Sequence, residues 1–304
     1  MRNFSADDPG PGGWEPLLAQ ARSADAAGID RLVVADHVVF GENLEAYADP
    51  RSGGTAGGKQ PTGPDGHWLE PLTLLSVIAG STRSIRLQTG ILIAALRRPA
   101  VLAKSLATLD VLSGGRVDLG VGVGWQREEY EAAGLAYEGR GGLLDHSLEV
   151  CRSLWTETTA AHESEHLSFE RIHMMPKPVQ RGGVPVWVSG RINANVLRRI
   201  VRHGSGWIPW GDDAKDPTVG IRRIADELAA AGRSLDGFQV AGTLPIHRTD
   251  DGVVDLGATM EAVPALVAAG VTDFRAHVPV PVEREEALDA LTPMVQAFRR
   301  TVGR

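Results

Sequence analysis

Ser84–Tyr130 reads SIRLQTGILIAALRRPAVLAKSLATLDVLSGGRVDLGVGVGWQREEY. Ile85, Leu87, Ile91 and Ile93 crowd together as a buried strand. Arg97-Arg98-Pro99 stops it, because proline has no N–H for a ladder and presets the first helical turn. Val101, Leu102, Leu106, Leu109 and Leu112 then recur at helical spacing. Ser113-Gly114-Gly115 closes that helix through glycine's access to positive φ. Val117, Leu119, Val121 and Val123 alternate as a second strand, and Gly122 and Gly124 pass the chain to Trp125-Gln126-Arg127. The stretch is one βαβ unit with a glycine-rich exit.

The same rhythm extends in both directions. Upstream, Trp14 to Ala27 reads as a helix closed by Gly28, and Arg31 to Ala35 as a short strand ending in Asp36-His37. Residues 41–68 form a long loop rich in Gly and Pro, and loops of that length in a compact protein are commonly functional. Glu70 to Ala79 is a helix entered at Pro71. Downstream, a helix over Gly139 to Trp155 precedes residues 157–183, which leave the rhythm and read as a small insertion. Val184 to Val188, Gly206 to Trp210, Phe238 to Leu244 and Val271 to Ala276 follow as strands. Helices separate them: Asn193 to Arg202, Pro217 to Ala231 and Leu256 to Ala269. A last helix spans Glu283 to Thr301. Counting the start, the βα unit recurs about eight times, which predicts a single α/β domain over 1–304, a (β/α)8 TIM barrel. A doubly wound open sheet is the competing architecture. The pairing of the last strand with the first separates the two. The start itself is irregular: MRNFS is a very short strand before the turn chemistry of DDPGPGG. Either the first strand is degenerate or the true start lies upstream.

Composition narrows the function classes. The chain has 304 residues, is 43% apolar and carries a net charge of −7. Its basic residues are mostly arginine and form no basic stripe, which argues against nucleic acid as a partner. No apolar run reaches the roughly 18–20 residues of a membrane span, and no basic-then-apolar leader opens the chain. Cys151 is the single cysteine, so no intrachain disulfide exists and a cytoplasmic setting is expected.

In a barrel, chemistry sits on the loops after the strands. Those loops hold Asp36-His37, Gly90 to Arg98, Gly122-Val123-Gly124-Trp125, Ser189-Gly190-Arg191, Pro209-Trp210-Gly211 and His247. The set is polar, glycine-rich and aromatic, and suits a flat aromatic cofactor with an anionic tail. The GxG of Gly122 to Gly124 lacks the third glycine and the helix context of a dinucleotide fingerprint.

Three segments resemble the bacterial luciferase-like superfamily: VADH (34–37), the run from TGIL (89–92) through RRPAVLAKSLATLDVLSGGRVDLGVGVGW (97–125), and VPVWVSGR (184–191) with GSGW (204–207). Within it the chain is most similar to the coenzyme F420-dependent oxidoreductase branch. The resemblance implies a TIM barrel with an insertion after the fourth βα unit, a deazaflavin or FMN at the carboxyl ends of the strands, and a homodimer. It implies that His37 moves a proton beside the reacting ring, a role suited to imidazole near neutral pH. It implies a bulge at Thr89-Gly90-Ile91, with a cis Gly90–Ile91 peptide against the ring. Gly122, Val123 and Gly124 would admit the cofactor's ribityl chain. Trp125 is read as an apolar wall or as ordinary packing. Some sugar-phosphate-oxidising relatives carry a catalytic acid at that place, so its absence here argues against a sugar-phosphate substrate. Ser189, Gly190 and Arg191 would receive the cofactor's phosphate, through N–H groups at a helix start and a guanidinium.

The substrate falls to loop 41–68. His67 and Trp68 are expected to cover it, and Trp210 to line the opposite wall. His162-Glu163-Ser164-Glu165-His166 satisfies the H-E-x-x-H zinc pattern, but the pattern needs a helix, and the flanks favour extended chain. The resemblance places a β-hairpin there, and no metal is expected. The resulting reading is an F420-dependent enzyme moving a hydride to or from a small organic substrate. The alternatives are an FMN-dependent monooxygenase of the same fold and a non-catalytic flavin-binding protein.

Overall fold

The computed structural model describes residues 1–303. In chain order the elements begin with β1 (Phe4–Ser5), α1 (Glu15–Ala26), β2 (Arg31–Val34), β3 (His67–Trp68) and α2 (Pro71–Ser81). The stretch quoted above supplies β4 (Arg86–Thr89), α3 (Pro99–Ser113) and β5 (Val117–Val121). Then come α4 (Arg127–Ala132), α5 (Arg140–Thr156), β6 (Ala160–Glu163), β7 (Ser168–Ile172), β8 (Val186–Ser189), α6 (Ala194–His203), β9 (Gly204–Ile208) and α7 (Thr218–Ala230). The chain closes with β10 (Gln239–Thr243), α8 (Leu256–Glu261), α9 (Val263–Ala268), β11 (Asp273–Arg275) and α10 (Arg284–Thr301). The helix expected over 256–269 is broken in two at Ala262, where Pro264 removes a donor from the first turn of α9.

Seven strands pair in parallel in the order β2-β4-β5-β8-β9-β10-β11. The order never reverses along the chain, so the sheet curls one way, as in a barrel, which excludes the doubly wound order; β2 and β11 are its two edges, and the pairing of the last strand with the first is absent among the described residues. All five residues of β5 are buried, as a strand covered on both faces requires. Gly120 in β5 is needed for the approach of β4: an added Cβ would lie 2.0 Å from Thr89 O.

The expected eighth strand is a correction. β1 does not join the barrel sheet; it pairs antiparallel with β3 at the end of the long loop. The turn chemistry that follows leaves only residues 1–3 beside β2. There the Asn3 side chain takes the place of a ladder, donating from Nδ2 to Ala35 O at 2.9 Å and accepting from Ala35 N at 3.1 Å.

Across the seam the first and last strands meet through buried charge. Arg31 of β2 pairs with Asp273 of β11 and donates to Gln239 of β10 at 3.1 Å. Arg31 also reaches Asp118 of β5 at 3.2 Å, and Arg86 of β4 binds the same carboxylate at 2.6 and 2.8 Å. The Arg31 guanidinium lies 4.5 Å from the Trp187 ring centroid. These groups sit at the starts of the strands, opposite the ends where the loops gather.

Between α5 and β8, β6 and β7 form an antiparallel hairpin that pairs His162 with Phe169. His162 and His166 therefore share no helix face. Among the described residues no helix is long and apolar enough to cross a membrane.

Candidate active site

His37 lies three residues past the end of β2, with its side chain only 10% exposed. Aromatic rings surround the imidazole. Its centroid is 4.4 Å from Phe40, 4.8 Å from Trp68 and 5.9 Å from Trp125. Phe4 stacks on the far face of this group, 4.3 Å from Trp68, and Tyr47 meets Trp125 edge-on at 5.4 Å. Such an enclosure excludes water and favours flat or apolar partners.

One carboxylate enters it. Glu129 of α4 is fully buried, with Oε2 at 3.2 Å from His37 Nδ1 and Oε1 accepting the Val38 N–H at 2.8 Å. The ring N–H is not aligned for a hydrogen bond, and neither Nδ1 nor Oε2 has another partner.

Asp36, beside His37, does structural work. Its carboxylate accepts the Ile93 N–H at 2.9 Å and binds Arg97 at 2.6 and 2.9 Å. Arg97 continues to Glu70, whose Oε2 caps α2 at Thr73 N. Burial works to raise the Glu70 carboxyl, but the Thr73 N–H and the Arg97 guanidinium outweigh it and hold the group below its ordinary range. The network ties the end of β2 to the segment after β4.

That segment contains a cis peptide at Gly90–Ile91, as the resemblance implies. Gly90 N donates to Val34 O at 2.6 Å and Leu92 N to Gly120 O at 2.7 Å. The Thr89 hydroxyl is turned to Gly120 O at 2.8 Å. Ile91 packs against the barrel-interior cluster of Trp187, Ile208 and Ala241. A Cβ at Gly122 would lie 3.0 Å from the Ile91 side chain, so the two glycine-bearing segments form one wall. Val123 O and Trp125 O are held by the hydroxyls of Tyr130 and Tyr137 at 2.6 and 2.8 Å. Trp125 is 6% exposed, and its Nε1–H is buried without a partner.

The loop expected to receive an anion, 189–191, lies at the end of β8. Gly190 N donates to Ile208 O at 3.1 Å, and Ile192 N to the Asp213 carboxylate at 2.6 Å. Asn193 caps α6 by accepting from Asn195 N and Val196 N. Those N–H groups are spent on the fold. Arg191 remains, and its guanidinium donates to Pro50 O at 2.9 Å.

Pro50 belongs to the long loop, which folds across the strand ends. Trp210 Nε1 donates to Gly54 O at 3.0 Å, while Tyr137 and Arg140 hold Ser52 O at 3.2 and 3.0 Å. At Gly53, φ is +102° and an added Cβ would lie 3.2 Å from Gly124 O. Trp68 turns inward and donates to Thr62 Oγ1 at 3.0 Å. His67, expected over the substrate with Trp68, is exposed, because side chains alternate along a strand. Arg51, 90% exposed, offers a readout of how firmly the loop is held. Arg191→Ala removes the Pro50 anchor, and trypsin cleavage after Arg51 is expected to accelerate several-fold. Unchanged cleavage would mean that the anchor does not restrain the loop.

Sequence reasoning missed Glu129, Phe4, Phe40, Tyr47, Tyr137 and Arg140. The one available signal was the acidic pair Glu128-Glu129 directly after the glycine-rich exit.

The model of the luciferase-like monooxygenase family matches residues 1–253. The chain belongs to that family. Its members are oxidoreductases and monooxygenases. An uncharacterized protein of Mycobacterium tuberculosis is 33% identical over 249 residues, covering 79% of this chain and 84% of that one. An F420-dependent glucose-6-phosphate dehydrogenase of the same species is 27% identical over 293 residues, covering 94% and 79%. Among solved structures, monooxygenase RslO1 of Streptomyces bottropensis superposes with a TM-score of 0.75 at 20% identity, covering 99% and 98%. An F420-dependent secondary alcohol dehydrogenase superposes with a TM-score of 0.71 at 17% identity, covering 93% and 95%. These structures establish the shared luciferase-like TIM-barrel fold.

Proposed function

We propose that this luciferase-like protein is an F420-dependent oxidoreductase acting on a small, largely apolar organic substrate, with His37 handling the proton. The observation that carries the proposal is a single buried imidazole, enclosed by Phe40, Trp68 and Trp125 and joined through Asp36 to the segment with the cis Gly90–Ile91 peptide. The 27% identical relative named as F420-dependent supports the cofactor.

The residues present fit a flat ring at the wall. Gly90, Ile91, Gly122, Val123, Gly124 and Trp125 would hold it, with Thr89 locking the wall from behind. The unpartnered Trp125 Nε1–H is a donor free for a ring substituent. At the anionic end Ser189, Gly190 and Arg191 would serve, with the Arg191 guanidinium as the charge-bearing contact. When bound, the deazaflavin supplies the hydride donor or acceptor. The aromatic enclosure orients the substrate and keeps water out, and His37 takes or gives the proton that accompanies hydride movement. Trp125 stands where some relatives carry an acid. Arg97 is committed to Asp36 and Glu70. Both features favour an uncharged substrate over a sugar phosphate.

Parallel fluorescence titrations with F420 and FMN test the proposal. F420 is expected to bind, and to be turned over with activated alkenes, ketones or secondary alcohols. Tight FMN binding without F420 binding would replace it with a flavin-dependent monooxygenase, the activity for which the family is named. The proposal extends to a cytoplasmic homodimer. The outward faces of α2 and α3 carry Val77, Val101 and Leu112 at 51%, 65% and 75% exposure, with Lys104 as the one charge between Ala100 and Leu112 on the exposed side. A single-subunit mass in sedimentation equilibrium would remove the dimer.

A further inference from the structure

The reading above leaves the two ring nitrogens of His37 undistinguished. We infer that Glu129 is a positioning residue that holds His37 as its Nδ1–H tautomer, leaving Nε2 as the atom that exchanges a proton with the substrate. The inference rests on the proposed role of His37 and adds the residue that sets its chemistry.

The argument is one of satisfaction. Glu129 is fully buried, and an ionised carboxylate accepts hydrogen bonds only. Oε1 has the Val38 N–H. Oε2 faces one polar atom, His37 Nδ1 at 3.2 Å, and that nitrogen has no other partner. With the proton on Nε2 instead, two lone pairs would face each other in a buried site, at the full cost of two unsatisfied groups. With the proton on Nδ1, both are satisfied by a small rotation of the ring. Nε2 makes no hydrogen bond among the described residues and is free for a ligand.

The consequence for the reaction follows directly. For oxidation of a hydroxyl, a bound deazaflavin would supply the acceptor for the carbon-bound hydride, and Nε2 of His37 would take the hydroxyl proton as the carbonyl forms. The imidazolium so produced faces the Glu129 carboxylate, which stabilises it. On reduction the same proton returns from Nε2 to the forming hydroxyl.

Glu129→Gln inverts this arrangement without changing its shape. The amide has one oxygen, and the Val38 N–H claims it. The NH2 group then faces Nδ1 and forces the proton to Nε2, the wrong tautomer for accepting a proton. Long-range ¹H–¹⁵N spectra of histidine-labelled protein at alkaline pH are expected to show His37 protonated at Nδ1 in the native chain and at Nε2 in Glu129→Gln. This readout needs no cofactor and no turnover. In the F420-loaded enzyme, kcat for hydroxyl oxidation is expected to fall by about 10²-fold or more. KM and cofactor Kd should stay within about twofold, as for a group acting on the chemical step alone. Glu128→Gln, on the neighbouring position outside the enclosure, serves as the control. An Nε2–H tautomer in the native chain overturns the inference even if the variant does not fold, and so does an unchanged kcat in Glu129→Gln. Failure of the protein to bind F420 would defeat the proposed function but leave the tautomer result standing.

Discussion

His37→Ala is expected to lower kcat by about 10³-fold while cofactor Kd changes by no more than a few-fold. The imidazole is ringed by Phe40, Trp68 and Trp125 and is the group whose Nε2 is open to a ligand, whereas the Glu129 carboxylate lies behind it on the Nδ1 side. Asp36 is occupied by Ile93 N and Arg97, and Glu129 by Val38 N. The alanine leaves a void walled by aromatic rings, and the wall at Gly90, Ile91 and Gly122 is untouched. Binding of the ring should therefore persist. His37 and Glu129 act as a unit, so the double variant His37→Ala/Glu129→Gln should be no slower than His37→Ala alone. Steady-state rates with reduced and oxidised F420, beside fluorescence titration, measure both quantities. A kcat within threefold of the native value would take His37 out of the reaction.

At the opposite end of the barrel the largest expected effect is on stability. Asp118→Ala should cost roughly 3–5 kcal/mol, the usual consequence of removing one partner from a buried ion pair. The Asp118 side chain is 3% exposed and is the shared acceptor for Arg31 and Arg86. Arg31, itself 9% exposed, keeps Asp273 and Gln239 but loses a third contact under the Trp187 ring. Arg86 loses a bidentate partner and retains Gln180 Oε1 at 3.0 Å. The seam between β2 and β11 depends on this network, because the first strand position contributes little ladder. A denaturant midpoint shift at unchanged slope would register the cost, and the folded fraction should keep its cofactor affinity. A shift equivalent to less than about 1 kcal/mol would show that the seam closes by backbone and packing alone.

The two ends differed in legibility. Periodicity located β4, α3 and β5, but β4 ends at Thr89, before the expected stop at Arg97-Arg98-Pro99, because the chain turns out of the sheet at Gly90–Ile91, and β5 ends at Val121 rather than Val123. The resemblance then pointed to His37 and to the Gly90–Ile91 peptide, and Asp36, beside His37, is bonded to Ile93 N in the segment that holds that peptide. The loop at 189–191 was read as a set of free N–H groups. Gly190 N is instead bonded to Ile208 O, and Ile192 N just beyond the loop to Asp213, partners whose proximity no local pattern encodes. His67 and Trp68 are neighbours in sequence, and strand alternation sends them to opposite sides.

Taken alone, the sequence determined the βα alternation, and with it the barrel class. That follows from short-range chemistry: periodicity of apolar side chains, the missing donor of proline, the missing Cβ of glycine. The wall glycines and the candidate imidazole came from the resemblance to the luciferase-like superfamily. Only the tertiary structure decided which groups meet at the strand ends. It brought Glu129 to His37 though Val38 and Glu129 are 91 residues apart, and it laid Pro50 and Gly54 against Arg191 and Trp210. It also put the Asn3 amide where a strand was expected. The physical reason is that these contacts join non-consecutive loops. A parallel sheet curled in one direction brings its strand ends together, and side-chain satisfaction across that end is a property of the whole curled sheet.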